Sequence, residues 1–293
     1  MSESPLFSRT MMRAALLIVP LLGLVAGSHA QEPIIMADCA ILFDANTGAV
    51  LYKKNENERR PVASTQKLLT ALLIAESGDL SAPVTIDRSD MFAAPTKLYL
   101  KAGDTYTRQQ LLTALLVKSP NDAARALARD NAGSIEGFAA KMNARIMRMG
   151  ATSSHFVNPN GLPADDQYST ARDMARVARA VYFNPLLRDI MRTKHCSFRY
   201  ASGKTISLQN TNRVLRTYSF CNGMKTGYTD AAGHCLISSG SWNGKDVIAV
   251  VLGSNRGHVW QESASLLAYG LGIRDTQLTS LRAVASPIPD DEE

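Results

Sequence analysis

The sequence predicts an α+β domain in which an antiparallel sheet is covered by helices and continues into a helical lobe. Two short apolar segments, near residues 38–43 and 49–53, have strand character, and strand patterning returns after residue 195. The segments between them follow helical periodicity. Strands from both ends of the chain can share one sheet only if the helical middle loops out and returns. With 293 residues, 45% of them hydrophobic, the chain can bury such a core.

The first thirty residues have the three-part pattern of a secretory signal peptide. Arg9 and Arg13 precede the apolar run AALLIVPLLGLVAG, and the small-residue sequence SHA follows it. We expect cleavage after Ala30. An uncleaved anchor is the alternative, but the run is shorter than the roughly 20 residues that span a membrane and contains Pro20. The pattern therefore predicts a periplasmic or other extracytoplasmic protein with no stable membrane anchor after cleavage.

The domain is predicted to run from residue 31 to residue 280. Its first hairpin turns at DANTG, and an apolar helix starts at Ser64. Thr107 is expected to cap a second helix, SPND restarts the chain as a third, and Gly150 ends a fourth. The segment NPNGLPADDQYS has the composition of a loop, and TARDMARVARAVYF is again helical.

The C-terminal part is predicted to contain strands and one closing helix. Hairpins are expected around ASGK and WNGK, the segment FCNGMKTGYTDAAG lies between them, and VWQESASLLAYGLG is the final helix. Residues 281–293 are acidic and contain proline, which predicts a disordered tail.

The charge and the cysteines limit the classes of partner. The net charge is +6, and it is +5 without residues 1–30, but the basic residues are scattered, so no nucleic-acid partner is predicted. A mild positive balance suits an anionic polymer outside the cytoplasm. The cysteines Cys39, Cys196, Cys221 and Cys235 match no C-x-x-C metal or redox motif, and neither a metal nor a cofactor is predicted. They are expected either as buried free thiols or in one of three disulfide pairings.

Three short motifs occur in order along the chain. They are S-x-x-K at Ser64 and Lys67, S-x-N at Ser119 and Asn121, and K-T-G at 225–227. Alone, each is explained as well by a helix cap, a turn or a strand end. Together they fall at the predicted starts of a helix, a helical turn and a strand, and this joint occurrence suggests one site.

The first two motifs have the chemistry of a serine nucleophile and its base. A serine hydroxyl attacks well only when a neighbouring base takes its proton, and residues three apart on a helix share a face, so Lys67 can reach Ser64. A lysine is a base only when neutral, and burial together with a second cation, Lys225, would lower its pKa. Ser119 could pass a proton to a leaving amine, and Asn121 could hold a substrate amide.

The third motif has the chemistry of a peptide-binding strand. Such a strand can bind an extended peptide along its edge, with Lys225 and Thr226 toward a substrate carboxylate. Gly227 would leave room for close approach. The backbone N–H groups of Ser64 and Tyr228 would form an oxyanion hole.

This set of motifs resembles the penicillin-binding serine D,D-peptidases, particularly the low-molecular-weight D-alanyl-D-alanine carboxypeptidases. The segments LKAGDTYTRQQLLTALLVKSPNDAA, HFVNPNGLPADDQYSTARDMA and NGMKTGYTDAAGHCLISSG are similar to family segments, and the resemblance covers roughly residues 35–275. It implies the fold shared by β-lactamases and penicillin-binding transpeptidases, with a five-stranded antiparallel sheet flanked by helices plus a helical lobe.

The resemblance also implies roles and partners. The implied catalytic residues are Ser64 as the acyl-enzyme nucleophile, Lys67 as its general base, Ser119 as a proton shuttle, and Asn121. The implied substrate-binding residues are Lys225, Thr226, Gly227 and Tyr228. The implied substrate is a peptidoglycan stem peptide that ends in D-Ala-D-Ala, and β-lactam antibiotics are implied as covalent inhibitors.

The chain departs from the family pattern in two ways. The family usually has Ser-Gly-Asn as its second motif, whereas Pro120 stands in the middle here and removes one backbone donor. Many members also carry a second β-rich domain and a C-terminal amphipathic helix, and this chain is expected to be a single-domain member without them.

Three alternatives to a carboxypeptidase stay open. A D,D-endopeptidase would cut peptidoglycan crosslinks with the same residues. A class A β-lactamase would need a glutamate for deacylation, but the loop NPNGLPADDQYS offers only Asp165 and Asp166. A non-catalytic sensor domain would bind peptidoglycan or β-lactam, and the intact motifs favour an enzyme over it.

Overall fold

The structure is a computed structural model that describes Met1, residues 32–278 and residues 280–282. The predicted signal peptide, apart from Met1, lies outside the described residues. The predicted tail also lies outside them, apart from Leu281 and Arg282. The Leu281 carbonyl accepts a hydrogen bond from the backbone N–H of Ser219 at 3.2 Å, and Arg282 forms an isolated bridge with Tyr218.

Within the described residues, five antiparallel strands form the main sheet. They are β1 (Cys39–Asp44), β2 (Val50–Lys54), β7 (Cys221–Thr229), β8 (Gly233–Trp242) and β9 (Lys245–Ser254), in the order β2-β1-β9-β8-β7. The first strand pairs with the last, for example Ile41 with Val250. This pairing confirms the predicted α+β class and the five-stranded sheet built from both ends of the chain. It also leaves β7, which carries the K-T-G motif, at one edge.

The two faces of the sheet pack against different helices, as the period-2 patterning requires. On β1, Cys39, Ile41 and Phe43 face the core shared with the helical lobe, whereas Ala40 and Leu42 face the core under the closing helix α8 (Val259–Leu271). Alternate residues of one strand therefore hold two layers of helices, and the sheet is buried on both sides.

The other helices, apart from two short ones, form the lobe and its connections. They are α1 (Lys67–Glu76), α2 (Arg108–Val117), α3 (Asn121–Ala132), α4 (Ile135–Arg148), α5 (Ala171–Tyr182) and α6 (Pro185–Met191). The two short helices, α7 (Arg213–Thr217) and α9 (Asp275–Leu278), pack against the core under α8. Thr107 caps α2 as predicted, in a reciprocal capping box with Gln110. Gly150 follows the end of α4 with a φ of +71°, which also agrees with the prediction.

Several short elements differ from the predictions or were not predicted. Ser64 does not begin an α-helix, because it lies inside a 3-10 turn (Ala63–Gln66) and α1 begins at Lys67. The K-T-G motif lies in the middle of β7 rather than at its start. A two-stranded sheet of β3 (Pro83–Thr85) and β4 (Thr105–Thr107) was not predicted, nor were α6 and α7. Elements this short have too few residues to show a period.

The hairpin of β5 (His195–Arg199) and β6 (Thr205–Gln209) lies where it was predicted, around ASGK. The four cysteines are free thiols, as the first of the two expectations has it, but only three are buried and Cys196 is half-buried. In the part of the chain that the structure describes, no helix is both long and apolar enough to cross a membrane.

Candidate active site

Ser64 and Lys67 lie in direct contact at the start of α1. The Lys67 Nζ is 2.6 Å from the Ser64 Oγ. The lysine side chain is fully buried, whereas Ser64 is half-buried. The 3-10 turn tightens the backbone just before the helix, so the hydroxyl and the amine meet although only one of the two residues is α-helical.

The Lys67 amine has two acceptors besides the Ser64 hydroxyl. The nitrogen lies 2.7 Å from the Asn121 Oδ1 and 2.8 Å from the backbone carbonyl oxygen of Asn160, and both of these atoms are acceptors. A neutral amine has two N–H groups and one lone pair. If the two N–H groups go to the two acceptors, the lone pair is left for the Ser64 hydroxyl proton.

Burial and a nearby positive charge favour the neutral form of the Lys67 amine. Burial is the largest cause of a Lys67 pKa well below its usual value, the positive charge of Lys225 is the second, and Asp122 opposes them. Burial also lowers the pKa of Lys225, to about 7. These are the two influences, burial and a second cation, that a lysine base requires.

The second motif reaches the site from the start of α3. Asn121, the first residue of that helix, is buried and contacts Lys67. Its backbone N–H donates to the Thr96 carbonyl at 2.8 Å. Pro120 takes an extended conformation with φ −64° and ψ 133°, which a proline ring allows, so the departure from Ser-Gly-Asn leaves Asn121 in contact with Lys67.

The third motif packs directly on the Ser64 turn. A Cβ added to Gly227 would lie 2.8 Å from the Ser64 nitrogen and 2.9 Å from the Thr65 nitrogen. The predicted close approach at Gly227 is therefore an approach of β7 to the 3-10 turn that contains Ser64. Lys225, two residues earlier on β7, is fully buried, and its Nζ donates to the Thr226 carbonyl at 3.0 Å.

Thr226 and Tyr228 complete the predicted set. The Thr226 hydroxyl is 2.7 Å from that of Thr211, a residue that sequence reasoning missed and that no motif marks. The Tyr228 side chain is 52% exposed, stacks on His234 with ring centroids 4.4 Å apart, and donates to Asp230. Its backbone follows Gly227 and so lies next to the Ser64 amide.

Backbone strain is concentrated around these motifs. Among the described residues, four that are not Gly, Asn or Asp have positive φ: Ala63 (+48°), Tyr99 (+58°), Ser119 (+69°) and Met224 (+114°). Ala63 precedes Ser64, Met224 precedes Lys225, and Ser119 belongs to the second motif. Such conformations cost free energy and persist where the surrounding structure imposes them, typically at functional sites.

The loop at residues 158–169 supplies a group that sequence reasoning missed. Its Asn160 carbonyl accepts from Lys67, and Asn160 is buried. Gly161 lies so close to the Ser64 turn that an added Cβ would be 2.1 Å from the Ala63 carbonyl oxygen, and its φ is +84°. Asn158 and Gln167 brace the loop through the Leu162 carbonyl, at 2.9 and 2.8 Å. Because the atom that contacts Lys67 is a backbone oxygen, no residue type could have signalled it.

Asp122 is a second residue that was missed. It is buried, and its two carboxylate oxygens accept from the backbone N–H groups of Leu98 (3.1 Å) and Leu100 (3.2 Å). Asp122 directly follows Asn121 in the chain, so these two hydrogen bonds hold the segment around Tyr99 next to the second motif. An acidic residue beside S-x-N, at the start of an amphipathic helix, is the signal that could have found it.

Comparisons with known proteins agree with this geometry. A sequence model described as D-alanyl-D-alanine carboxypeptidase matches residues 26–256. The D-alanyl-D-alanine carboxypeptidase DacF of Bacillus subtilis is 34% identical over 234 residues, which is 78% of this chain and 60% of that protein. A D-alanyl-D-alanine endopeptidase of Pseudomonas aeruginosa is also 34% identical, over 78% of this chain and 74% of its own length.

The solved structures give the same result. The crystal structure of the Streptomyces K15 DD-transpeptidase superposes with a TM-score of 0.79 at 30% identity, covering 83% of this chain and 100% of that chain. The match of the family model over most of the chain, the shared fold and the three assembled motifs lead to one conclusion: the chain belongs to the serine D-alanyl-D-alanine carboxypeptidase family.

Proposed function

We propose that this protein is a serine-type D-alanyl-D-alanine carboxypeptidase that removes the terminal D-Ala from peptidoglycan stem peptides through an acyl-enzyme on Ser64. The observation that carries the proposal is the contact of 2.6 Å between the Ser64 hydroxyl and the buried Lys67 amine. A lowered Lys67 pKa supports the role of general base, because the neutral amine can take the hydroxyl proton.

Acylation then proceeds with a balanced transfer of protons. The Ser64 oxygen attacks the carbonyl carbon of the penultimate D-Ala while Lys67 takes its proton. The peptide C–N bond breaks, and the proton passes through Ser119 to the amine of the leaving D-Ala. Water hydrolyses the ester in the second half of the reaction, and Lys67 acts as base again.

Substrate binding is assigned to β7 and the second motif. The terminal carboxylate pairs with Lys225 and Thr226, and Asn121 holds the amide on the acyl side. The backbone N–H groups of Ser64 and Tyr228 bind the developing oxyanion. The packing of Gly227 on the Ser64 nitrogen supports this assignment, because it brings the Tyr228 backbone beside that amide.

A β-lactamase is the less favoured reading. Asp165 and Asp166, the acidic residues of the 158–169 loop, are exposed, and the atom that the loop gives to Lys67 is the Asn160 carbonyl. A carbonyl cannot act as the base that activates a deacylating water. We therefore expect penicillin to acylate Ser64 and to remain bound.

An endopeptidase is a second candidate, because two relatives of similar identity carry that name. It would use the same residues on a crosslinked substrate. Incubation of the purified protein with an uncrosslinked pentapeptide and with a crosslinked dimer separates the two activities. Release of D-Ala from the pentapeptide by the parent protein, and not by Ser64→Ala, supports the carboxypeptidase. Cleavage of the dimer alone supports the endopeptidase. Cleavage of neither contradicts both and favours a sensor domain.

Export belongs to the same proposal. The pattern of residues 1–30 supports secretion across the cytoplasmic membrane and cleavage after Ala30, toward a substrate in the periplasm or cell wall. The test is the N-terminal sequence of the protein recovered from the extracytoplasmic fraction. A protein that begins at Gln31 agrees with the proposal, and an intact N-terminus in the cytoplasm contradicts it.

A further inference from the structure

Tyr99 combines three properties that packing does not explain. It has a φ of +58°, and its side chain is 72% exposed. The amides on both sides of it are held by the carboxylate of buried Asp122. Gly or Asn would take this backbone conformation at lower cost. The ring packs little against the protein apart from Lys97, so it is accessible to a ligand.

The segment that carries Tyr99 is attached to the second motif. Besides the two bonds to Asp122, the Thr96 carbonyl accepts from the backbone N–H of Asn121. The Leu98 carbonyl accepts from the Tyr200 hydroxyl at 2.9 Å. Tyr99 therefore lies on the Asn121 side of the site. In the proposed reaction this is the side that binds the acyl part of the substrate, away from the carboxylate pocket at Lys225.

A cation accompanies the ring. The Lys97 Nζ lies 5.3 Å from the centroid of the Tyr99 ring, within the range of a cation–π contact, and donates to the Met91 carbonyl at 3.3 Å. The side chain is half-buried, and no acidic side chain among the described residues forms an ion pair with it. An ammonium has three N–H donors, so Lys97 can still bind an anion.

We propose that Lys97 and Tyr99 form a subsite for the substrate residue that precedes the D-Ala pair, and that this subsite favours a carboxylate on its side chain. The ring packs on the aliphatic part of that side chain, and the ammonium pairs with the carboxylate at its end. Asp122 is a positioning residue, because it imposes the strained turn that presents the ring. The inference rests on the proposed function, since the ligand is the acyl part of the same substrate.

The test compares two peptides that differ only in charge. They are an N-acetylated tripeptide with L-2-aminoadipate before D-Ala-D-Ala, and the same peptide with the side-chain carboxylate converted to a carboxamide. The measured quantity is the ratio of kcat/KM for D-Ala release, carboxylate over carboxamide. We expect a ratio of about five for the parent protein, the size of one partly screened ion pair. The preference should appear in KM, because the pair forms equally in the ground and transition states.

Variants assign the preference to the subsite. Lys97→Met is expected to bring the kcat/KM ratio to about one. Lys97→Arg keeps the positive charge and should therefore retain the preference for the carboxylate peptide. Lys101→Met is the matched control, because Lys101 is an exposed lysine just beyond the held turn, and it should behave as the parent. Tyr99→Asn tolerates the positive φ and should raise KM for both peptides through loss of the ring.

The outcomes separate this inference from the proposed function. A parent protein that hydrolyses both peptides with equal efficiency, or a ratio that survives in Lys97→Met, overturns the subsite and leaves the carboxypeptidase proposal standing. A parent protein that hydrolyses neither peptide overturns the carboxypeptidase proposal and this inference with it.

Discussion

Gly227 of the edge strand lies directly against the amide nitrogen of Ser64, and a Cβ added there would be 2.8 Å from it. The two residues are far apart in the sequence and belong to different motifs. Their contact sets the distance between β7 and the 3-10 turn that contains Ser64. It therefore also fixes where the Ser64 amide lies relative to the open edge of β7.

Gly227→Ala tests this contact. The added methyl group must push β7 or the turn outward, and displacement of reacting groups by about 1 Å can cost about 100-fold in rate. We expect acylation by penicillin to slow by about that factor while the protein stays folded. Gly257→Ala is the control, because its Cβ would meet only the Asn255 Oδ1, at an ordinary 3.4 Å. Equal acylation rates for the two variants would show that the contact does not shape the site.

Lys225→Met is expected to stabilise the protein near neutral pH. Burial lowers the pKa of Lys225 from 10.5 to about 7, so between these pH values the unfolded chain binds a proton that the folded chain does not. Burying the neutral amine therefore costs no stability above pH 10.5, the pKa of Lys225 in the unfolded chain. The free energy of unfolding falls as the pH is lowered from there toward 7. The variant has no such loss, and its Tm at pH 7 should exceed that of the parent by on the order of 5 °C.

The pH dependence is the diagnostic part of this measurement. The difference in Tm should shrink as pH rises toward 10, and the variant should lose acylation activity, because the cation is absent. Lys204→Met, at an exposed lysine in the β5–β6 hairpin, should change Tm little at any pH. A Lys225→Met protein less stable than the parent at pH 7 would mean that the buried amine is better solvated than its surroundings indicate.

Asp122→Asn is expected to weaken the turn at Tyr99. A carboxamide keeps one acceptor oxygen, and its NH2 group cannot accept from the backbone, so either Leu98 or Leu100 loses its partner. An unsatisfied buried N–H group costs about 1–3 kcal/mol, and this loss should appear in the free energy of unfolding. Acylation should slow as well, because the backbone N–H of Asn121 donates to the Thr96 carbonyl of the same segment.

Asp130→Asn is the control that separates the effect of Asp122→Asn on acylation from its effect on stability. Asp130 lies on the same helix and pairs with Arg108 at 2.6 Å, at a partly exposed position. Loss of this ion pair should lower the free energy of unfolding by about 1 kcal/mol or less and should leave the acylation rate unchanged. If both variants slow acylation in proportion to their loss of stability, Asp122 has no positioning role.

The acidic residues of the 158–169 loop are expected to be irrelevant to deacylation. Asp165 and Asp166 are exposed, so Asp165→Asn and Asp166→Asn should release bound penicillin at the parent rate to within about twofold. The measurement is the decay of the acylated protein in an intact-mass time course. A clearly slower release in either variant would identify a deacylating carboxylate and favour the β-lactamase reading.

The parts of the site that follow from local geometry could be predicted from the sequence. The i, i+3 spacing brings Ser64 and Lys67 together, and the period-2 patterning of the outer segments predicts the sheet. The start of α1 was misplaced by three residues, because the turn before it is held by Gly161 and Gly227 from distant segments. A contact between segments that are distant in the chain leaves no pattern in the local sequence.

The groups that were missed share a physical reason. The Asn160 carbonyl acts through its backbone, and every residue has that atom. Asp122 acts by accepting from two amides twenty-odd positions earlier in the chain, and its role depends on the path of that segment. The positive φ of Tyr99 likewise results from tertiary contacts, which a propensity for the residue type does not report.

The central claim is that Ser64, activated by Lys67, forms a covalent acyl-enzyme. The most direct measurement is the mass of the intact protein after incubation with benzylpenicillin, followed by mapping of the modified peptide. We predict one stoichiometric adduct on the peptide that contains Ser64, no adduct in Ser64→Ala, and a rate lower by at least about 100-fold in Lys67→Ala. An adduct on a different residue, or one that persists in Ser64→Ala, would contradict the claim.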